Sequence, residues 1–367
     1  MDGKIFALPA VLGKSEAGET MVWGVAVDGV APRPAIRDSF EVEGYGRPKG
    51  VPVVKWLGLT LLSAAAFGVT FTSVAAADSL VFIKAGNVWI ANADGSNARR
   101  VTRDGTARYP YESPSEADDG TIVAVRATGT TRRRIYRMRQ TGQLLNRPVD
   151  TPAPGTGAIN AKVSPNGRLV AYWFSTAVPS SACSFCVNAA NQALISDSYR
   201  FTPADAIGTP NAGGWPSWIG NDTLVLTSGS AEVWYYRLGM REAAPWFADY
   251  QTGGGTPIPT LLDAEVSPNG ERLAVVRGDN QETVVLYAMT GPPPATPAPF
   301  TGNCVWTAKA GRLSDPTWSS NGKLLALQEG NNTFVVSLRT LTACGQARTL
   351  RVIRGGTQPD YGKAPIK

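Results

Sequence analysis

The stretch Val163-Ser164-Pro165-Asn166-Gly167-Arg168-Leu169-Val170-Ala171 decides the fold, because the same chain repeats it twice. It returns as Val266-Ser267-Pro268-Asn269-Gly270-Glu271-Arg272-Leu273-Ala274 and again as Trp318-Ser319-Ser320-Asn321-Gly322-Lys323-Leu324-Leu325-Ala326. In each copy an extended run ending in Val or Trp meets a tight turn. Proline fixes φ there and Asn-Gly tolerates positive φ. An apolar run such as Leu169–Phe174 or Leu273–Val276 then reads as the next strand. Weaker copies are Trp218-Ile219-Gly220-Asn221-Asp222, Glu112-Ser113-Pro114-Ser115 and Pro359-Asp360-Tyr361-Gly362. Aligned on the residue after the Trp-like position, the six copies fall at 113, 164, 219, 267, 319 and 362. A period of roughly fifty residues is that of a propeller blade.

A third strand follows in each unit, as at Val88 and Ile90, Val233 to Tyr236, Val284 to Tyr287, and Phe334 to Val336. The turn Asn92-Ala93-Asp94-Gly95-Ser96-Asn97 leads to an outer strand near Arg99–Thr102, so each blade has four meandering strands. The segment Asn87-Val88-Trp89-Ile90-Ala91-Asn92-Ala93-Asp94-Gly95-Ser96-Asn97 with Arg100-Val101-Thr102, together with the Ser-Pro-Asn-Gly phrases, resembles the WD-like repeat of the TolB family. The resemblance covers Ser79 to about Ile366 and implies an all-β, six-bladed β-propeller. TolB carries an N-terminal α/β domain that has no counterpart here, and fold alone does not fix function. Leu80-Val81-Phe82-Ile83 reads as a second strand with no first strand before it, and Gln358-Pro359-Asp360-Tyr361-Gly362 reads as the missing piece. The C-terminal strand is therefore expected to complete blade one and close the ring, which removes exposed sheet edges.

Composition agrees with many short strands: 17% of the 367 residues are charged, with 39 Gly and 27 Pro. Charges balance within residues 1–77, and the net +6 spread over the remainder is too mild to argue for nucleic acid. The sequence has no His, which removes the usual general base, metal ligand and pH switch. Arg47, Lys49 and Lys55 precede the apolar run Trp56–Val69, and Ala75-Ala76-Ala77 follows. These are the parts of a secretory signal, with cleavage expected after Ala77. The competing reading is an uncleaved anchor, since Trp56–Ala77 is long enough to span a bilayer. The expected organisation is an N-terminal extension over 1–46, unstructured or preceding a true start near Val51, Val53 or Val54; a signal peptide over 47–77; and the propeller over 78–367.

Export makes disulfides the natural reading of Cys183, Cys186, Cys304 and Cys344, paired 183–186 and 304–344. The C-x-x-C has no evident activating helix, and a zinc site built from all four cysteines would require distant blades to meet. Ser320-x-x-Lys323 matches a nucleophile pattern but lies in a repeated blade turn. The run Arg132-Arg133-Arg134-Ile135-Tyr136-Arg137-Met138-Arg139 reads either as an anionic-polymer site or as a solvated outer strand. Trp215 and Trp218 are a stacking platform or inter-blade core.

Repeat alignment also marks one mouth of the central channel. The residue three before the Trp-like position gives Gln358, Tyr109, Asn160, Trp215, Asp263 and Asp315; the next of the same parity gives Asp360, Tyr111, Lys162, Ser217, Glu265 and Thr317. This ring is the expected small-ligand or cation site, the alternative being a hydrated channel. The expected function is a secreted or periplasmic binding or protein-interaction module, without metal or cofactor. Its partner would be a protein or cell-envelope ligand, with no nucleic acid, no membrane contact after cleavage, and a monomeric state. The alternative is a carbohydrate-active hydrolase or lyase using Asp263, Glu265 and Asp315. That chemistry needs carboxylates about 5–10 Å apart.

Overall fold

The computed structural model describes residues 78–367 apart from 130–132, 151–157, 180–186, 198–205, 208–213, 228–230, 249–259, 296–303 and 339–346, with backbone alone for 149–150, 174–179, 187–192, 206–207 and 304–305. The sequence-predicted extension and signal segment lie outside the described residues. Every regular element described is a strand.

Blade one holds β1 (Ser79–Lys84), β2 (Asn87–Asn92) and β3 (Arg99–Arg100). Blade two holds β4 (Tyr111–Glu116), β5 (Thr121–Ala127), β6 (Arg133–Arg139) and β7 (Val149–Asp150). Blade three holds β8 (Ile159–Val163), β9 (Leu169–Pro179), β10 (Val187–Asp197) and β11 (Ala206–Ile207). Blade four holds β12 (Ser217–Ile219), β13 (Thr223–Thr227), β14 (Glu232–Arg237) and β15 (Ala244–Ala248). Blade five holds β16 (Leu261–Val266), β17 (Arg272–Arg277), β18 (Thr283–Ala288) and β19 (Cys304–Thr307). Blade six holds β20 (Leu313–Trp318), β21 (Leu324–Glu329), β22 (Asn332–Ser337) and β23 (Arg348–Arg354). The last strand, β24 (Gly356–Gly362), returns to blade one, whose order is β24-β1-β2-β3, with Ser79 opposite Gly362 and Val81 opposite Asp360. The expected closure is therefore present, and all six sheets have four strands.

Second strands read as unbroken apolar runs because each blade is covered on both faces. Leu80-Val81-Phe82, Ile122-Val123-Ala124-Val125 and Leu273-Ala274-Val275-Val276 are fully buried. The core is accordingly a ring of inter-blade clusters. Val81, Val88 and Ile90 pack with Ile122, Ala124 and Met138 between blades one and two. Leu80, Phe82 and Ala91 pack with Ala326, Val335 and Ile353 between blades one and six. The four remaining junctions have clusters of the same kind.

The repeated turn has one hydrogen-bond pattern. In blades three, five and six the Ser hydroxyl reaches the Asn side-chain oxygen, at 2.8, 2.7 and 2.9 Å for Ser164, Ser267 and Ser319. The amides of Leu169, Arg272 and Leu324 donate back to that hydroxyl. Gly167, Gly270 and Gly322 follow at φ 71°, 72° and 64°, which is why glycine recurs there.

Candidate functional site

In five of the six blades the innermost strand pairs through a bulge, β12 of blade four being the exception. The register slips between Glu112 and Ser115, Ile159 and Lys162, Leu262 and Ala264, and Ser314 and Thr317. At the same position Ser113, Asn160, Asp263, Asp315 and Gln358 take positive φ, between 37° and 52°. Asn, Asp and other short polar residues tolerate that conformation best. Pro114, Pro216, Pro316 and Pro359 occupy the next position in four blades, where a missing N–H costs no ladder bond. An outlier repeated around the ring is a device of the fold rather than a mark of one site.

The bulge sets two layers of side chains. At the face where innermost strands begin, Gln358, Ser113, Asn160, Trp215, Asp263 and Asp315 surround a space of only about 10 Å³. At the exit face, Asp360, Ser115, Lys162, Ser217 and Glu265 line a cavity of about 280 Å³, which the Ser-Pro-Asn-Gly turns surround. Of the sequence-predicted residues, Asn160, Trp215, Asp263, Asp315 and Gln358 meet in the first layer, and Glu265 and Asp360 in the second. Tyr109 and Tyr111 do not join them. Ser113 and Ser115 hold those places, because the blade-two turn is Ala117-Asp118-Asp119-Gly120, with Gly120 at φ 85°, four residues beyond the Ser-Pro taken for it. Pro114 is the bulge proline, not the turn proline. Tyr111 is instead buried between blades one and two, and its hydroxyl donates to Asp104 at 3.1 Å.

The second layer staples neighbouring blades. Asp360 accepts from the Glu116 amide (3.0 Å), Ser115 from Val163 (3.1 Å), Glu265 from Trp318 (3.0 Å), and Thr317 from Tyr361 (3.1 Å). In the first layer Gln358 accepts from the Ser113 amide at 2.8 Å and Asp263 from the Asp315 amide. The indoles of Trp218 and Trp318 donate to the carbonyls of Lys162 and Glu265 in the preceding blade, at 2.9 and 3.0 Å. Trp218 thus serves the blade junction. Trp215 faces Trp173, with ring centroids 6.3 Å apart.

Lys162 stands among the carboxylates and ion-pairs with Asp360. Burial alone would push its pKa down, but Asp360, Glu265 and Asp263 override that and hold the ammonium charged above its usual range. Burial, then the neighbouring Asp315, raises Asp263 well above the ordinary carboxylate range. Burial likewise raises Asp315, and lifts Glu265 to about 7. Burial and like charge thus both disfavour the ionised forms of Asp263, Asp315 and Glu265, with Lys162 acting against them.

Sequence reading missed Glu116, buried at the same junction. One carboxyl oxygen lies 2.5 Å from the Ser79 hydroxyl oxygen, the other accepts from the Gln140 side-chain amide (2.7 Å), and burial raises its pKa to about 7. The basic run is not a solvated outer strand. Residues 133–139 form β6, the third strand, in which Ile135, Tyr136, Arg137 and Met138 are buried and Arg133 pairs with Glu112 at 3.1 Å. Cys304 opens β19 in the outer part of blade five. Its side chain and Cys183, Cys186 and Cys344 lie outside the described residues. Among those described, no group of three or more His, Cys, Asp or Glu could hold a metal ion.

No protein-family model matches the chain, and no curated protein matches it in sequence. Solved structures do match in shape. TolB from Acinetobacter baumannii superimposes with a TM-score of 0.50 at 18% identity, over 77% of this chain and 66% of that one. The chain therefore spans slightly less than two thirds of that TolB. The periplasmic gluconolactonase PpgL of Pseudomonas aeruginosa gives 0.50 at 14% identity, over 77% of this chain and 98% of that one. At such identities the likeness is one of architecture: the chain is a six-bladed β-propeller of TolB-like fold.

Proposed function

We propose that this chain is an exported propeller acting as a binding module, with the exit-face cavity receiving an exposed polar segment of a cell-envelope partner. One observation carries the reading. Asp360, Asp263 and Glu265 are engaged as acceptors for backbone amides of the scaffold, while a cavity of about 280 Å³ stays open beside Asp360 and Glu265. Its wall offers an ammonium, carboxylates and hydroxyls, a set that suits a ligand carrying both donors and acceptors. Export rests on the charged segment, apolar run and Ala triplet before Asp78, and the periplasmic location in the name of one structural neighbour agrees with it.

The competing reading is hydrolysis, favoured by the likeness to a gluconolactonase. It would need a free carboxylate or another base, and the chain has no His to supply one. Pro268 is exposed on the cavity rim, so Pro268→Trp blocks the opening without entering the core. Immobilised wild-type protein should retain an envelope component that the variant loses at unchanged melting temperature. Equal retention by both would remove the cavity from the account. Lactone hydrolysis above the buffer rate, lost in Glu265→Gln, would establish the enzyme instead.

A further inference from the structure

Outer blade strands are kept short in most of this ring. β3, β7 and β11 have two residues each and β19 has four; β15 has five but contains Pro245. β23 differs, with seven residues, Arg348-Thr349-Leu350-Arg351-Val352-Ile353-Arg354, and no proline. It is the last strand of its sheet, so its far edge pairs with no strand among the described residues. Only Ile353 turns inward, into the junction between blades six and one. Leu350 and Val352 are 42% and 40% exposed. A long, exposed edge with apolar side chains is a template for another strand.

We propose that β23 is a docking edge where an extended acidic and apolar segment of a partner protein adds as a fifth strand of blade six. Charge selects the occupant. Arg348, Arg351 and Arg354 lie along the strand and are exposed, and Lys84 lies near Gly355, just past its last residue. Arg351 already reaches the Asp94 carbonyl of blade one at 3.2 Å, which leaves Arg348 and Arg354 for a partner's carboxylates. A second copy is disfavoured, since pairing β23 with itself would set three arginines against three. Backbone pairing would supply affinity, and Leu350 and Val352 would select alternate apolar side chains.

The probe is a fluorescein-labelled peptide of alternating Glu and Val, titrated against the full chain and read by anisotropy. The expected result is saturable binding that weakens at least about tenfold in Leu350→Lys/Val352→Lys and with a peptide N-methylated at alternate residues. Reversing charge in Arg348→Glu/Arg354→Glu should transfer preference to an alternating Lys and Val peptide. Circular dichroism melting confirms that these surface variants remain folded. Four outcomes would overturn the proposal: no binding at millimolar peptide, binding indifferent to N-methylation, displacement by polyphosphate charge for charge, or concentration-dependent dimers abolished by the Lys variant. The third would make the strand a polyanion patch, and the fourth a self-association edge.

Discussion

Lys162 of blade three and Asp360 of the closing strand meet across the channel, two blades apart, as a buried ion pair. The pair ties the C-terminal strand to a blade with which it shares no sheet. Removing one member leaves the other buried without its partner, which ordinarily costs about 3–5 kcal/mol. Lys162→Met should therefore lower unfolding free energy by about 3 kcal/mol in urea titration. Lys162→Met/Asp360→Asn should recover part of that loss, because the stranded charge is gone. Additive losses would mean that the two side chains act separately.

Closure by β24 extends into residues 363–367. The Ser79 hydroxyl donates to the Ala364 carbonyl at 2.8 Å, the Lys367 amide donates to Gln140 at 2.7 Å, and Arg99 donates to the Lys367 carbonyl at 2.7 Å. Ile366 packs into the junction between blades one and two. Deleting 363–367 should lower the melting temperature measurably. Deleting 357–367 should cost several kcal/mol more, a large share of ordinary domain stability, and expose apolar faces of blades one and six. Unchanged melting in the longer deletion would refute the closure.

Glu116 gives this junction a pH dependence whose sign follows from its raised pKa. The unfolded side chain ionises above about 4.5, whereas the folded one stays protonated to about 7. The unfolded state therefore gains relative to the folded one as pH rises through that window. The gap corresponds to a loss of about 3 kcal/mol between pH 4.5 and 7. Glu265, with the same direction and value, adds to it. Glu116→Gln keeps the shape and cannot ionise, so its stability should fall less over the window than that of wild type. Identical pH profiles would remove Glu116 as a source.

Much of this architecture was legible in sequence because the turn chemistry recurs and the apolar runs keep one spacing. Asn160, Trp215, Asp263, Asp315 and Gln358 fall in one layer by alignment of the repeat alone. Blade two was misread because Ser-Pro occurs at two structural positions, the bulge and the turn, and Ser113-Pro114 is the bulge. A positive-φ glycine four residues after the innermost strand, Gly120 here, is the signal that separates them. The basic strand was misread because arginine stems can line a buried strand while their heads reach partners. The Lys162–Asp360 contact and the exit-face cavity depend on side-chain reach across the axis. Glu116 depends on Ser79 and Gln140, far away in the chain. No local pattern encodes either.

The account rests on the channel carboxylates being scaffold, and Glu265 tests this most directly, since it accepts from both the Trp318 amide and the Thr317 hydroxyl at 3.0 Å. Truncation to Ala leaves those two buried donors without an acceptor, a cost of about 1–3 kcal/mol. A carboxylate held in place for chemistry behaves oppositely, because removing it relieves strain and commonly stabilises the fold. The measurement is the urea unfolding free energy of Glu265→Ala against wild type at pH 4.5, below the raised pKa of Glu265, where the truncation relieves no buried charge. A loss of about 1–3 kcal/mol is the result predicted here. An unchanged or higher stability would contradict it.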